Sequence, residues 1–217
     1  VDDNLVVEEK GIYSIEKFLI ARRLMYWQVY LHKTVISAEN MLIKILQRAK
    51  ELVNNSIDIF TTPSLSIFLK NNYTIKDILG KPNLLNNFAK IDDAEIHVCI
   101  KYWSKESDFI LSTLCNMLIN RRLLKIKIQR TRFLKNEIHD LINKMTQKYN
   151  CTKEEAKYFI FSNKVSNSAY NIEETNINIL MKNGDIVDIA SASDQFNIKS
   201  LSTKVEKYFL CYPETIL

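Results

Sequence analysis

Between Tyr13 and about Asn54 the apolar positions Ile15, Phe18, Leu19, Met25, Val29, Ile36, Met41, Ile45, Leu46 and Leu52 recur at helical intervals and on more than one side. That spacing predicts a long helix buried among others, free to kink but with no internal proline or glycine. Shorter helices follow. Thr62-Pro63 supplies an N-cap and a first helical residue, and Pro82 opens another helix of the same kind. Asp92 with Glu95 has the spacing of a capping box ahead of a helix through Trp103, and Ser104 can cap the next, to about Arg122.

The pattern changes at Leu124. Lys125-Ile126-Lys127-Ile128 alternates with period two, as a half-buried strand does, and a helix from about Thr131 to Tyr149 comes next. Thr152 and Glu155 cap one further helical turn, and Tyr158-Phe159-Ile160-Phe161 reads as a strand. Asn183-Gly184 turns a hairpin between Ile177–Met181 and Ile186–Ala190, and Lys207–Tyr212 is the last strand. The expected fold is mainly α with an α+β C-terminal part: buried long helices, then a small, mainly antiparallel sheet covered by the 131–149 helix. The expected domains are a helical part over 1–122 and an α+β domain over 123–217.

Composition narrows the class. With 217 residues, 47% of them hydrophobic and 25% charged, the chain can bury a substantial core, which argues against disorder. No run of about 18 apolar residues is available to span a membrane, and Val1-Asp2-Asp3 is unlike the positive start of a signal peptide. Cys99, Cys115, Cys151 and Cys211 lie in apolar-periodic segments without a CxxC spacing, so buried free thiols in a reducing cytoplasm are expected. Gly11, Gly80 and Gly184 are the only glycines, too few and too scattered for a Walker loop or a GxGxxG turn. Any bound phosphate must be held by side chains. The net charge is only +5, but Arg121, Arg122, Lys125, Lys127, Arg130, Arg132 and Lys135 fall in one stretch that contains no acid. A local anion site is expected there.

Candidate chemistry concentrates in the first helix. Arg22, Tyr26, Tyr30 and Lys33 follow one another at steps of four, four and three, so an unbroken helix sets two cations and two phenols on one stripe. At about 1.5 Å per residue the stripe runs roughly 16 Å, the reach of a nucleoside triphosphate. Arginine suits the phosphates because its planar fork makes paired hydrogen bonds. Tyrosine can pack under a sugar and test for the absence of a 2′-hydroxyl. The competing reading is structural: core tyrosines with satisfied hydroxyls, and cations that snorkel to solvent.

The segment EEKGIYSIEKFLIARRLMYWQVYLHKTVISAENMLIKILQRAKEL resembles the region that follows the metal-binding half of HD-superfamily deoxynucleoside triphosphate triphosphohydrolases, in particular the bacterial, dGTPase-like type. The likeness continues through DDAEIHVCIKYW, NRRLLK, DIASAS and KYFLCYP, nearly the whole chain. It implies a cytoplasmic, metal-dependent phosphohydrolase of which this chain is a C-terminal portion, beginning without Met. The divalent metal would be bound upstream of this chain by a His, a His-Asp pair and a further Asp, with no metal and no catalytic residue in the fragment, which alone would be inactive. In such enzymes a metal-activated water attacks the α-phosphate, releasing deoxynucleoside and tripolyphosphate. The resemblance makes Arg22, Tyr30 and Lys33 contacts to substrate or nucleotide phosphates, beside Tyr26. It puts His32 near the boundary between catalytic and regulatory pockets, and matches Arg121 and Lys125 to a pair that holds an activating nucleotide at a subunit interface. Implied partners are deoxynucleoside triphosphates and further copies of the chain in a homo-oligomer, and no membrane. Val7-Glu8-Glu9 departs from the pattern, being acidic where regulated relatives offer basic residues.

The residues allow two other readings. His139-Asp140 spells the HD dipeptide, with His97, Asp185 and Asp188 as conceivable partners, but Leu134, Ile138, Leu141, Ile142 and Met145 form the apolar face of that helix and leave His139 and Asp140 on its polar side. The alternative function is a polyanion-binding or assembly module in which the 121–135 run meets single-stranded nucleic acid, although few aromatics interleave with its charges.

Overall fold

The computed structural model describes residues 5–167, 176–193 and 205–216. The order is β1 (Val7–Glu8), α1 (Ile12–Met25), a π-helical turn (Tyr26–Tyr30), α2 (Lys33–Asn54), α3 (Pro63–Lys70), α4 (Ile75–Gly80), α5 (Pro82–Lys90), α6 (Asp93–Trp103), α7 (Phe109–Ile119), β2 (Lys125–Gln129), α8 (Lys135–Tyr149), α9 (Lys153–Ala156), β3 (Phe161–Asn167), β4 (Asn178–Leu180), β5 (Ile186–Asp188), α10 (Ile189–Ala192) and β6 (Val205–Tyr212). The fold is mainly α with an α+β C-terminal part. The strands among the described residues make two sheets of three, ordered β1-β4-β5 and β2-β6-β3.

Two compact units interleave along the chain: 1–35 with 127–133 and 162–209, and 36–126 with 134–161 and 210–217. In the first, β1 lies parallel to β4, and β4 antiparallel to β5. Met181 N–H donates to Asp185 O at 2.8 Å to close the hairpin, whose turn needs Gly184 at φ 91°. Ile12, Leu19, Ile179 and Ile189 form the buried cluster here. The DIASAS segment has a structural explanation. Asp188 caps α10 by accepting from Ala190 N–H at 2.8 Å, and the Ser193 hydroxyl donates to Glu16, a carboxylate only 1% exposed on α1. That bond offsets the cost of burying Glu16.

In the second unit, Ile36, Met41, Ile45, Ala49 and Leu52 give α2 one buried face. The Ser37 hydroxyl donates to Leu124 O at 2.8 Å, while Leu124 N–H reaches Met41 Sδ at 3.4 Å, so both backbone groups ahead of β2 are held by α2. Trp103 is fully buried and donates Nε1–H to Phe60 O at 2.7 Å, with Phe60 and Tyr102 stacked beside it at 4.0 Å. Arg48 of α2 forks onto Asp108 at 3.1 and 2.6 Å and reaches Glu51 at 3.1 Å. Burial alone would raise the Asp108 carboxyl, but the Arg48 and Leu111 hydrogen bonds outweigh it and hold Asp108 below the usual carboxylate range.

Several boundaries differ from the sequence expectation for local reasons. The long helix is two helices, broken after Met25. The α7 cap is Asp108, which accepts from Leu111 N–H at 2.8 Å, because Ser104 spends its hydroxyl on Lys101 O. At α6 only half of the capping box forms: Asp92 accepts from Glu95 N–H at 2.8 Å, and one buried Glu95 oxygen has no hydrogen-bond partner. The helix expected from Thr131 starts at Lys135, since Phe133 turns inward just after β2. The strand expected at 158–161 begins only at Phe161, because Phe159 and Ile160 are buried in the turn that ends α9. By contrast, Thr62 and Thr152 cap as their sequences indicate, the latter with a complete capping box.

Candidate nucleotide and anion site

The site is built around the break between α1 and α2. Tyr26-Trp27-Gln28-Val29-Tyr30 is a run of aromatic and β-branched residues around one glutamine, with low intrinsic helix preference, so leaving the α-helical ladder costs little there. Leu31 N–H bonds back five residues to Tyr26 O at 2.7 Å, a single π turn, the kind of insertion frequent at functional sites. Leu31 then leaves helical geometry, and His32 receives Thr34 N–H on Nδ1 at 3.3 Å as α2 begins.

The break divides the predicted stripe. Arg22, Tyr26 and Tyr30 stay together: the Arg22 guanidinium stacks 5.3 Å from the Tyr26 ring centre, and the Tyr26 and Tyr30 rings lie 5.0 Å apart, tilted by 53°. Tyr30 is 50% exposed and Arg22 is also on the surface, with Tyr26 half-buried between them. Lys33 lies past the break. With His32 it lines a cleft of about 390 Å³ completed by Trp27, Leu31, Ile128, Gln129, Arg130 and Lys207. Lys207 Nζ sits 3.9 Å from a Trp27 ring centre, a close cation–π contact.

Arg121 and Lys125 belong to the other unit. Arg121 takes the left-handed conformation at φ 54° just after α7. Its N–H donates to Leu118 O at 3.2 Å and Arg122 N–H to Met117 O at 2.8 Å, the double closure of a Schellman cap in which glycine is the usual occupant. Arg122 lines a shallow pocket of about 240 Å³ with Ser112, Thr113, Asn116, Met117 and Asn120. Lys125 is paired with Glu214 at 2.9 Å. The basic run is therefore divided: Lys125 has a carboxylate, Arg132 stacks 5.8 Å from the Tyr208 ring centre, and Arg130 lines the cleft.

His139 and Asp140 are exposed on α8, His97 Nδ1 is 2.8 Å from Asp93 O, Asp185 is held by Asn183, and Asp188 caps α10. Among the described residues no group of three or more His, Cys, Asp or Glu could hold a metal ion, and no helix is long and apolar enough to cross a membrane. All four cysteines are free thiols. Arg130 belongs to the basic stretch expected to bind an anion, but Trp27 and Lys207 were not assigned to a site from the sequence. Each stands in a segment singled out there, but no local periodicity relates a residue of β6 to one of the π turn.

Residues 1–81 match the family model of an HD-associated region. The whole chain is 29% identical to the uncharacterised protein YwfO of Bacillus subtilis, spanning 48% of it. Over 71% of its length it is 32% identical to the MG461 homologue of Mycoplasma pneumoniae, of which it spans 37%. Among solved structures, a phosphohydrolase from Bacteroides thetaiotaomicron superposes on 98% of this chain with a TM-score of 0.87 and 44% identity, the match taking in 53% of that protein. A hypothetical protein from Aquifex aeolicus shares the fold with a TM-score of 0.56 at 20% identity, over 100% of this chain and 46% of its own. The chain thus spans about half or less of the relatives it matches. The family match is thus to an HD-associated region over residues 1–81, and the structural likeness is to a protein described as a phosphohydrolase.

Proposed function

We propose that this chain is the nucleotide-reading C-terminal part of an HD-type enzyme that hydrolyses deoxynucleoside triphosphates to deoxynucleoside and tripolyphosphate. The observation that carries the reading is the row Arg22–Tyr26–Tyr30, exposed at both ends with Tyr26 half-buried between them, whose members follow one another at 5.3 and 5.0 Å. Stacking on Tyr26 fixes the plane of the Arg22 guanidinium, so its fork can meet phosphate oxygens with little further loss of side-chain entropy. Tyr30, half exposed at the other end, offers a ring face to the sugar and a hydroxyl to its 3′ side. A ribose 2′-hydroxyl pressed against that ring would lose its hydration without a partner.

In the net reaction water adds to the α-phosphorus, the bond from that phosphorus to the 5′-oxygen breaks, and the 5′-oxygen leaves protonated. The divalent metal implied by the family resemblance finds no donor set among the described residues. The part assigned to this chain is binding and orientation. Arg121, on its strained cap, and Lys125 are proposed as the regulatory nucleotide pair in a homo-oligomer. The nucleic-acid alternative ranks lower because the basic run is divided among a carboxylate, a ring and a cleft. The test is phosphorus NMR on the complete natural protein incubated with Mn²⁺ and each dNTP. Appearance of tripolyphosphate with deoxynucleoside supports the reading; orthophosphate or diphosphate as the first product overturns it.

A further inference from the structure

The α4–α5 hairpin leaves a large amount of apolar surface in water. Ile75 and Leu79 stand one turn apart on α4 and are 76% and 68% exposed, and Phe88 of the adjoining α5 is 53% exposed. Apolar side chains gathered on neighbouring helices mark a surface that another molecule covers. An open cleft of about 600 Å³ is formed here by α3 and the corner between α4 and α5, wholly within one unit of the fold. Ile67, Tyr73, Pro82 and Leu84 are its apolar lining. The Tyr73 ring is already set in place, edge-on to Phe68 at 5.9 Å, so little side-chain freedom is left to lose when the cleft fills.

The polar part of the lining matches a peptide backbone. Asn87 Nδ2 donates to Asn83 O at 2.8 Å, which orients the Asn87 amide and leaves its oxygen to accept. One turn earlier, the Asn83 side-chain amide has no hydrogen bond among the described residues. A carboxamide holds a donor and an acceptor side by side, the complement of the N–H and C=O of an extended chain. Lys81 completes the lining, and no acidic residue belongs to it. The wider surface is basic as well. Between residues 67 and 90 stand Lys70, Lys76, Lys81 and Lys90 against one acid, Asp77, whose carboxylate is taken by the N–H and hydroxyl of Thr74 at 2.8 and 2.6 Å. None of the four lysines has an ion pair among the described residues, although Lys125, Lys157 and Lys164 each have one.

Charge and shape together choose the occupant. A second copy docked through a two-fold axis would bring the same four lysines against these, at a cost in repulsion. An anionic bilayer would meet the lysines, but it would strip Asn83 and Asn87 of water without offering them partners, and a flat surface leaves a cleft unfilled. An acidic, extended segment of another protein meets every group: carboxylates for the lysines, backbone for the asparagines and an apolar side chain for the cleft. We propose that the α3–α5 cleft is a docking site for an extended acidic peptide that anchors one apolar side chain against Tyr73, Pro82 and Leu84. The site is independent of the hydrolase reading, since it uses neither Arg22 nor Tyr30.

The probe is a displayed library of random dodecapeptides, panned on the complete protein with counter-selection on a Lys81→Glu/Asn83→Ala double variant. Enriched sequences should carry Asp or Glu on both sides of an apolar residue. In calorimetry with the synthesised peptides, Lys81→Glu should weaken binding at least about tenfold, the worth of one charge-assisted contact, and Asn83→Ala about three- to tenfold. Both positions are exposed, so neither variant threatens the fold. Added salt should weaken the parent complex and leave the Lys81→Glu complex less affected. The proposal is overturned if nothing is enriched over the counter-selection, if the enriched peptides are neutral or basic, or if both single variants bind them as the parent does. It is also overturned if Leu79→Asp dissociates an oligomer of the complete protein in sedimentation, or abolishes its binding to phosphatidylglycerol vesicles. Those results would assign the face to a second copy or to a lipid surface.

Discussion

Replacing Asp108 by alanine removes two interactions from one place. Asp108 caps α7 through Leu111 N–H at 2.8 Å, a role worth about 1 kcal/mol. It also takes both arms of Arg48, with the two side chains only 21% and 18% exposed. Removing one partner of a buried pair costs about 3–5 kcal/mol, because the remaining charge loses its counter-charge without regaining water. Here Glu51 stays on Arg48 at 3.1 Å and partial exposure admits solvent, so a total of about 3 kcal/mol is expected. Asp108→Asn keeps the cap and should cost about half as much. The pH dependence has a definite sign. The folded Asp108 carboxyl lies below its unfolded value of about 3.9, so its stabilisation is complete above about pH 5 and is lost as the pH falls through the folded value. Urea unfolding followed at Trp103, in the same unit, measures this at pH 7 and at pH 3. A loss below about 1 kcal/mol at pH 7, or a gap between parent and variant unchanged in acid, would mean that the Arg48–Asp108 pair does not stabilise the fold.

Arg121→Gly should stabilise the protein by about 0.5–1 kcal/mol, since relief of the left-handed penalty exceeds the extra chain entropy of glycine; a lower unfolding midpoint would mean that the arginine serves the α7 cap and not an anion. Burial pushes the Cys115 and Cys211 thiols up to about 12. Native alkylation at pH 8 followed by mass spectrometry should therefore modify partly exposed Cys151 first, and early labelling of Cys211 would show that β6 opens far more readily than its burial implies.

How much of this was legible in the sequence depends on the range of the interaction. Thr62-Pro63, Thr152/Glu155 and Asn183-Gly184 act within a few residues, and each makes the cap or turn that its chemistry requires. The 26–30 break was not legible, because the apolar period continues through it and neither glycine nor proline marks it. Its cause is the local weakness of an aromatic and β-branched run. Arg22, Tyr26 and Tyr30 could be grouped from spacing because they share one row, whereas Lys33 left that row with the break. The cleft was out of reach for another reason: Lys207 meets Trp27 only through tertiary folding, and β1 joins β4 by a pairing that alternation cannot specify. The exchange of Ser104 for Asp108 as the α7 cap is a short-range case: Ser104 gives its hydroxyl to Lys101 O, and Asp108 accepts from Leu111 N–H.

In the proposed function the Arg22–Tyr26–Tyr30 row reads a deoxynucleoside triphosphate, with phosphate at one end and sugar at the other. Steady-state kinetics of the complete protein with dGTP, dATP and GTP, on Arg22→Ala and Tyr30→Ala, test it most directly. Arg22→Ala should lower kcat/KM for dGTP and dATP by a common factor of about 10–100, the worth of one or more charge-assisted phosphate contacts. Tyr30→Ala should instead narrow the ratio between dGTP and GTP. Unchanged turnover of both deoxynucleotides by Arg22→Ala would contradict the account and return the row to a surface feature without a substrate.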